Sequence, residues 1–269
     1  MITKLLNFYN MTFDNVVGSE SGSEGQGPRG TRQFLDVGCG CGKVTVEVLL
    51  PNVPEDVERV VGVDVCENMV SHAREHSSHS KVVYEQLDIT GDVSGFLDLY
   101  GPFDRLYVFN SLNRVKDQPT AWRNISKLLK PGGECLLFYC AWYATPEIWR
   151  ALAKRERWSR FSEWWENLIP PSQDMRSTDE RLNYVKSLST AVGLELRSCE
   201  VASVSVATEA YYEMMAALIP GSNTLTAEEK RLLLEDANVE WQNWLRGRQN
   251  PRMVDNYVIH GIKPMKRQS

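Results

Sequence analysis

The chain has 269 residues, of which 42% are hydrophobic and 24% charged, with a formal net charge of −5. That composition belongs to a folded globular protein long enough to bury one large core, and the acidic balance (pI about 5.5) lacks the basic face of a nucleic-acid binder. The longest apolar runs fall far short of the ~20 residues a membrane helix needs, and Met1 to Asn10 show no secretory signal core, so a cytosolic protein is expected.

Residues 1–17 carry Ile2, Leu5, Leu6, Tyr9, Phe13, Val16 and Val17 at the spacing of one helical face. Residues 18–31, rich in Gly, Ser and Glu, read as a flexible linker. A helix on such a tether is either a lid over a ligand or a packed surface helix. Residues 32–269 then read as one domain.

Its first strand ends in Phe34-Leu-Asp-Val-Gly-Cys-Gly-Cys-Gly42, and a predicted helix over 43–50 follows until Pro51. Alternating glycines let the turn bend and let a ligand lie against bare backbone at a helix N-terminus. Glu58 to Asp64 is a second strand with an acid at its end, and Cys66 to His76 a helix. Met69, one turn into that helix, is placed either against a base ring or as core filling. Lys81 to Leu87 is a third strand that ends at Asp88 and Ile89. Three strands in succession thus carry an acid at the edge where open α/β sheets bind ligands.

Phe103 to Asn110 is the fourth strand, with Ser111 to Asp117 as its exit loop. Trp122 to Lys130 is a helix stopped by Pro131-Gly-Gly133, and Glu134 to Cys140 an apolar fifth strand suited to a sheet covered on both faces. From 141 to about 189 the pattern changes to a helical insertion containing Trp142, Trp149, Trp158, Trp164 and Trp165. Those rings either wall an apolar pocket or form the insertion's own core. A sixth strand over 194–206 and helices over 209–218 and 227–245 follow. The last helix opens with a Thr226/Glu229 capping box, and 253–262 is a seventh strand.

Glycine spacing separates the nucleotide sites. A P-loop requires glycine at 37 and Ser or Thr at 44, where valines stand, and a G-x-G-x-x-G fingerprint requires glycine at Lys43 or Thr45. The pattern that remains, acid-x-G-x-G-x-G from Asp36, resembles motif I of the class I S-adenosylmethionine (SAM)-dependent methyltransferases. Val61-Gly-Val-Asp64, Leu87-Asp-Ile89, Asp117-Gln118, Asn124-Ile125 and Leu129-Lys-Pro-Gly-Gly-Glu-Cys-Leu-Leu137 extend the similarity. Within that class the chain resembles the arthropod juvenile hormone acid methyltransferase-like proteins.

The resemblance implies an α/β, Rossmann-like seven-stranded sheet with helices on both faces and a helical insertion after the fifth strand. It implies SAM as cofactor and S-adenosylhomocysteine as product. Asp36, Gly38, Cys39 and Gly40 would surround the methionine part. Asp64 and Val65 would hold the ribose and border the adenine, with Met69 beside it. Asp88 would accept from the adenine amino group, Ile89 would lie against the ring, and Asn110 would lie beneath the reacting methyl.

The chain departs from that family at Leu112-Asn113-Arg114, where Leu-His-Trp is usual, and it has no glutamine in residues 1–17. Arg114 is either the partner of an acceptor carboxylate or a solvated surface arginine. The six cysteines form no CxxC pair and no Cys/His ligand spacing, so reduced thiols and no metal are expected. The expected partner is a small-molecule methyl acceptor, first an apolar carboxylic acid, with neither nucleic acid nor a membrane span, in a monomer or homodimer. The rival expectations are a different acceptor (amine, phenol or protein) and a catalytically silent SAM-binding interaction protein.

Overall fold

A computed structural model describes residues 32–204, 224–248 and 254–265. The expected helix over 1–17, the linker over 18–31 and the helix over 209–218 lie outside them. The strands are β1 (Arg32–Val37), β2 (Val57–Asp64), β3 (Val82–Gln86), β4 (Phe103–Phe109), β5 (Leu129–Tyr143), β6 (Glu195–Val204) and β7 (Val254–Ile262). They form a seven-stranded sheet in the order β3-β2-β1-β4-β5-β7-β6, in which β7 alone runs antiparallel to its neighbours.

Alternation along each strand supplies two cores, one per face. Leu35, Val61, Val108 and Leu137 join one cluster; Phe34, Val60, Tyr107 and Leu136, one residue earlier in each strand, join the other. The first face is covered by α2 (Ser94–Tyr100), α3 (Gln118–Leu128) and α6 (Thr178–Ala191), through Phe96, Trp122, Ile125, Leu128, Val185 and Leu188. On the other, Leu49 packs under a helical segment, and α1 (Glu67–His76) sets Val70 and Ala73 against Cys39 and Tyr84.

Several boundaries differ from expectation. The segment after the glycine turn is a π-helical turn over Thr45–Leu49 that passes into a 3-10 turn over Leu50–Asn52. Pro51 therefore sits within the helical run, tolerated because it opens the new turn, where no intrahelical N–H is missed. Helix α3 starts four residues earlier than expected, at Gln118, because Asp117 accepts from the Thr120 N–H and caps it. Pro131-Gly132-Gly133 does not stand outside a strand but lies within β5: the Gly132 N–H donates to Lys263 O at 2.7 Å and the Lys263 N–H to Gly133 O at 2.9 Å. Helix α2 was not anticipated.

The insertion divides. Helix α6 covers the sheet, whereas α4 (Thr145–Ala153), a 3-10 turn over Glu156–Phe161 and α5 (Ser162–Leu168) join α7 (Ala227–Leu245) in a separate helical module. Trp149, Trp158 and Trp165 are buried there against Trp241, Leu233 and Ala237. Most of the tryptophans are thus the module's own core; Trp164 keeps an exposed face and Trp142 packs at the margin. The expected Thr226/Glu229 capping box starts α7. Arg155 pairs with Asp236 and Glu240 of that helix, Trp158 Nε1 donates to Asp236 Oδ2 at 2.7 Å, and Arg160 meets Glu229 at 2.7 Å.

Asp236→Ala would leave the buried Trp158 N–H and the Arg155 guanidinium short of an acceptor, at a cost of about 1–3 kcal/mol. Thermal melting, followed by calorimetry, should therefore fall by several degrees.

Candidate active site

Strand β1 lies between β2 and β4, and the chain leaves β1 and β4 toward opposite halves of the sheet. A crevice therefore opens between their carboxyl ends, the place where such sheets bind ligands. The two sides approach closely at its floor. Gly38, at φ +77°, donates its N–H to Val63 O at 2.7 Å, and a Cβ there would lie 2.1 Å from Ser111 Cβ. Ser111 Oγ in turn donates to Val37 O at 2.8 Å. Only glycine fits position 38, on sterics as well as on φ.

The loop is braced from behind. Gly40 donates its N–H to Asp64 Oδ2 at 2.9 Å, while Asp64 Oδ1 accepts from Cys66 N at 3.0 Å. Each Asp64 oxygen thereby accepts one backbone N–H and keeps a lone pair to spare. Open space lies on the side of Gly40 where a Cβ would point, with no heavy atom within 4 Å. At Gly42 a Cβ would lie 2.5 Å from the Tyr84 hydroxyl, which donates to Ser77 O at 3.0 Å.

Asp36 is buried and accepts from Thr45 Oγ1 at 2.6 Å. Burial lifts its carboxyl to about 6, opposed by the Thr45 hydrogen bond and assisted by the nearby Asp64 charge. This is an acid held under the loop, where a cationic ligand above it would be favoured by its ionised form. Val65 and Met69 are exposed by 61% and 45%, so two apolar surfaces flank the edge beyond Asp64. Asp88 is exposed, and its Oδ1 accepts from Thr90 N at 2.8 Å and Thr90 Oγ1 at 2.7 Å.

Two residues expected at the cofactor have buried side chains. The Cys39 thiol is buried with Val70, Ala73 and Tyr84, its N–H donates to Val63 O and its carbonyl accepts from Gly42 N–H. Cys39 shapes the turn rather than presenting a side chain to a ligand. The Ile89 side chain lies in the sheet's core and its carbonyl accepts from Asn124 Nδ2 at 2.8 Å, which leaves Asp88 as the exposed member of that pair.

On the other side of the crevice stands Asn110, exposed, at φ +54°, with its N–H donating to Phe138 O at 2.7 Å. Asparagine tolerates this left-handed backbone better than other residues with a Cβ, and such strain concentrates at functional sites. A 3-10 turn over Leu112–Arg114 follows, with the Asn113 side chain buried and Arg114 exposed without an ion pair among the described residues. The Cys140 thiol, pushed up to about 11 by burial and drawn back by Arg114, donates to Asn256 Oδ1 at 3.4 Å.

This exit loop is anchored twice. Gln118 Nε2 donates to Leu112 O at 2.6 Å and Val115 O at 2.8 Å. Lys116 Nζ donates to Glu166 O at 2.8 Å and Ile169 O at 2.7 Å, tying the loop to the end of α5. Ser172 and Gln173 hold the same stretch to the end of β5, through Ala141 O at 2.6 Å and Tyr143 O at 2.9 Å. The helical module is thereby fastened beside the β4 exit loop.

Sequence reasoning did not single out Thr45, Tyr84, Ser111 or Lys116, and marked Gln118 and Asn124 only as part of the family resemblance. Ser111, directly after the strand-end Asn110, is the one whose position alone could have marked it. None of the four histidines of the chain lies at this edge. His72 and His76 are on α1, His79 follows it, and His260 lies in β7 beside Glu134. Among the described residues no group of three or more His, Cys, Asp or Glu side chains is placed to hold a metal, and no helix is long and apolar enough to cross a membrane.

Residues 35–137 match a family model described as a methyltransferase domain. The juvenile hormone acid O-methyltransferase of Bombyx mori is 33% identical over 161 residues, 60% of this chain and 56% of that protein. Phosphoethanolamine N-methyltransferase 3 of Arabidopsis thaliana is 36% identical over 118 residues, 43% of this chain and 22% of that one. The chain spans about half the length of the juvenile hormone acid relatives it matches. Among solved structures, the [4+2]-cyclase SpnF has a TM-score of 0.55 at 19% identity, covering 95% of this chain and 81% of its own. Phosphoethanolamine N-methyltransferase 2 of Haemonchus contortus, in complex with SAM, has 0.50 at 15% identity, covering 96% and 53%. The sheet order and the glycine turn agree with that match: over residues 35–137 the chain fits the methyltransferase domain model on a Rossmann-like sheet.

Proposed function

We propose that the protein transfers the methyl group of SAM to a small apolar carboxylic acid, of the juvenile hormone acid or farnesoic acid type, in the cytosol. The observation that carries the acceptor class is Arg114, an exposed guanidinium free of ion pairs among the described residues, beside Asn110 on an edge with no imidazole. A guanidinium meets a carboxylate through two parallel hydrogen bonds. A carboxylate is already ionised and needs no base to become a nucleophile.

The residues present fit the cofactor. Asp64 would accept from the ribose hydroxyls, Val65 and Met69 would border the adenine, Asp88 would accept from its amino group, and Gly38 and Gly40 would let the methionine part lie on the loop. Bound SAM supplies an electrophilic methyl on a sulfonium. The protein's part is alignment: Arg114 orients the carboxylate and Asn110 lines the path beneath the methyl. Transfer to a carboxylate oxygen would move no proton, so the chain would need to supply no general base. Proximity and exclusion of water can supply most of the acceleration in such a displacement.

The relation to phosphoethanolamine N-methyltransferases supports a second reading, an amine acceptor whose anionic group Arg114 would hold. Labelled methyl from SAM, offered to farnesoic acid, other apolar acids and phosphoethanolamine, separates the two. Base-labile label on an acid is the expected result. Base-stable label on the amine would establish the second reading. No label with S-adenosylhomocysteine still bound would point to a silent binding module.

Two further outcomes are expected. Arg114→Ala should raise KM for the acid roughly tenfold or more, as loss of a charged hydrogen bond would, while the calorimetric Kd for SAM stays unchanged. SAM affinity should weaken as pH falls below about 6, where Asp36 takes up a proton that a cationic ligand must displace, by about one log unit per pH unit. Asp36→Asn should bind SAM weakly at every pH and flatten that profile. The sign is opposite for the free protein: a raised carboxyl favours the fold below the ordinary aspartate range, and that contribution is lost as pH rises through about 6.

A further inference from the structure

We infer that α1 carries a second, surface binding site, for a late first-row divalent cation, built by His72 and His76. The two residues are one turn apart on a regular ten-residue helix, so their side chains leave the same face. Both are exposed, and their rings lie together with centroids 4.2 Å apart and planes 21° from parallel. Two imidazoles held this close need only a small rotation about χ2 for one nitrogen of each to converge on a metal, at the ~2.0–2.1 Å of a metal–imidazole bond.

A hydrogen bond already selects the nitrogen. His76 Nδ1 lies 3.1 Å from the His72 carbonyl oxygen. A carbonyl can only accept, so the proton sits on Nδ1 and the Nε2 lone pair is turned outward. Metal-ligating histidines commonly use their second nitrogen in this way, which fixes the tautomer and ring orientation. Glu75 Oε2, 3.9 Å from the same Nδ1, strengthens that polarity.

Two imidazoles with water completing the shell suit Cu2+, Ni2+ or Zn2+ rather than Mg2+ or Ca2+, which prefer oxygen ligands. This is a two-ligand clamp, consistent with the lack of any larger ligand group among the described residues. The clamp closes over the second turn of the helix whose first turn bears Met69, so an ion here would stiffen the helix that borders the adenine side of the crevice. The inference does not depend on the acceptor, nor on whether the protein turns over.

The test is calorimetric titration of the full chain with NiCl2, paired with thermal melting in the presence and absence of the metal. One saturable site per chain is expected, with a rise in Tm on loading. His72→Gln and His76→Gln should each weaken Ni2+ binding roughly tenfold or more, since each removes the chelate, and should abolish the Tm rise. His79→Gln, three residues beyond the pair, should change neither. These side chains are exposed, so the variants should fold as the parent does, which their metal-free Tm verifies. Saturable binding that survives both substitutions, or that disappears with Cys66→Ser instead, would overturn the assignment, as would the absence of any saturable site.

Discussion

The close approach of Gly38 to Ser111 governs the architecture of the crevice. With a Cβ absent at 38, β1 and the start of the β4 exit loop meet at van der Waals distance, and the Ser111 hydroxyl closes the gap onto the Val37 carbonyl. A side chain at 38 would push the two apart by more than an ångström. Asn110 and Asp64, which stand on opposite sides of that contact, would then be separated as well. In-line transfer tolerates little such displacement, because reacting atoms must be held within about 3–3.5 Å in alignment. One missing methyl group therefore sets the spacing between the two halves of the site.

The bracing of the loop follows a similar economy. Asp64 uses both carboxylate oxygens on backbone N–H groups, from Gly40 and Cys66, and so cannot rotate away from the crevice. Tyr84 fills the space behind Gly42, Asn124 holds the Ile89 carbonyl, and Gln118 and Lys116 hold the exit loop. Most of these contacts reach main-chain atoms. They position backbone that a ligand would lie against, and the side chains proposed to face it are few: Asp64, Val65, Met69, Asp88, Asn110 and Arg114.

What could be read from the sequence was what local chemistry dictates. The glycine turn, the strand-end acids at 36, 64 and 88 and the capping box at Thr226 each depend on residues within a few positions, and each is found where expected. Long-range choices were not legible. Trp149, Trp158 and Trp165 could have faced a ligand; they are buried because α7, some seventy residues later, returns to pack on them. Nothing near Pro131-Gly-Gly133 announces that Lys263 will pair with it and keep it in a strand. Cys39 and Ile89 were placed at the ligand by motif position, yet side-chain direction along the pleat and turn sends both inward.

This division between local and distant contacts bears on function. The proposed cofactor half of the crevice is made of short-range pieces within 35–137, the span that matches the methyltransferase domain. The proposed acceptor half is made of the β4 exit loop and of the module that Lys116 fastens to it and that Ser172 and Gln173 hold to the end of β5, which draws on chain beyond residue 140. Its shape depends on how α4, α5 and α7 pack together, so substitutions in the tryptophan core can tilt the acceptor wall without touching a cofactor contact. Methyl transfer needs only that an acceptor atom be presented in line with the sulfonium. Change in the module can therefore exchange one acceptor for another while the glycine turn and its acids stay as they are. This chain is similar alike to relatives named for an acid acceptor and for an amine acceptor.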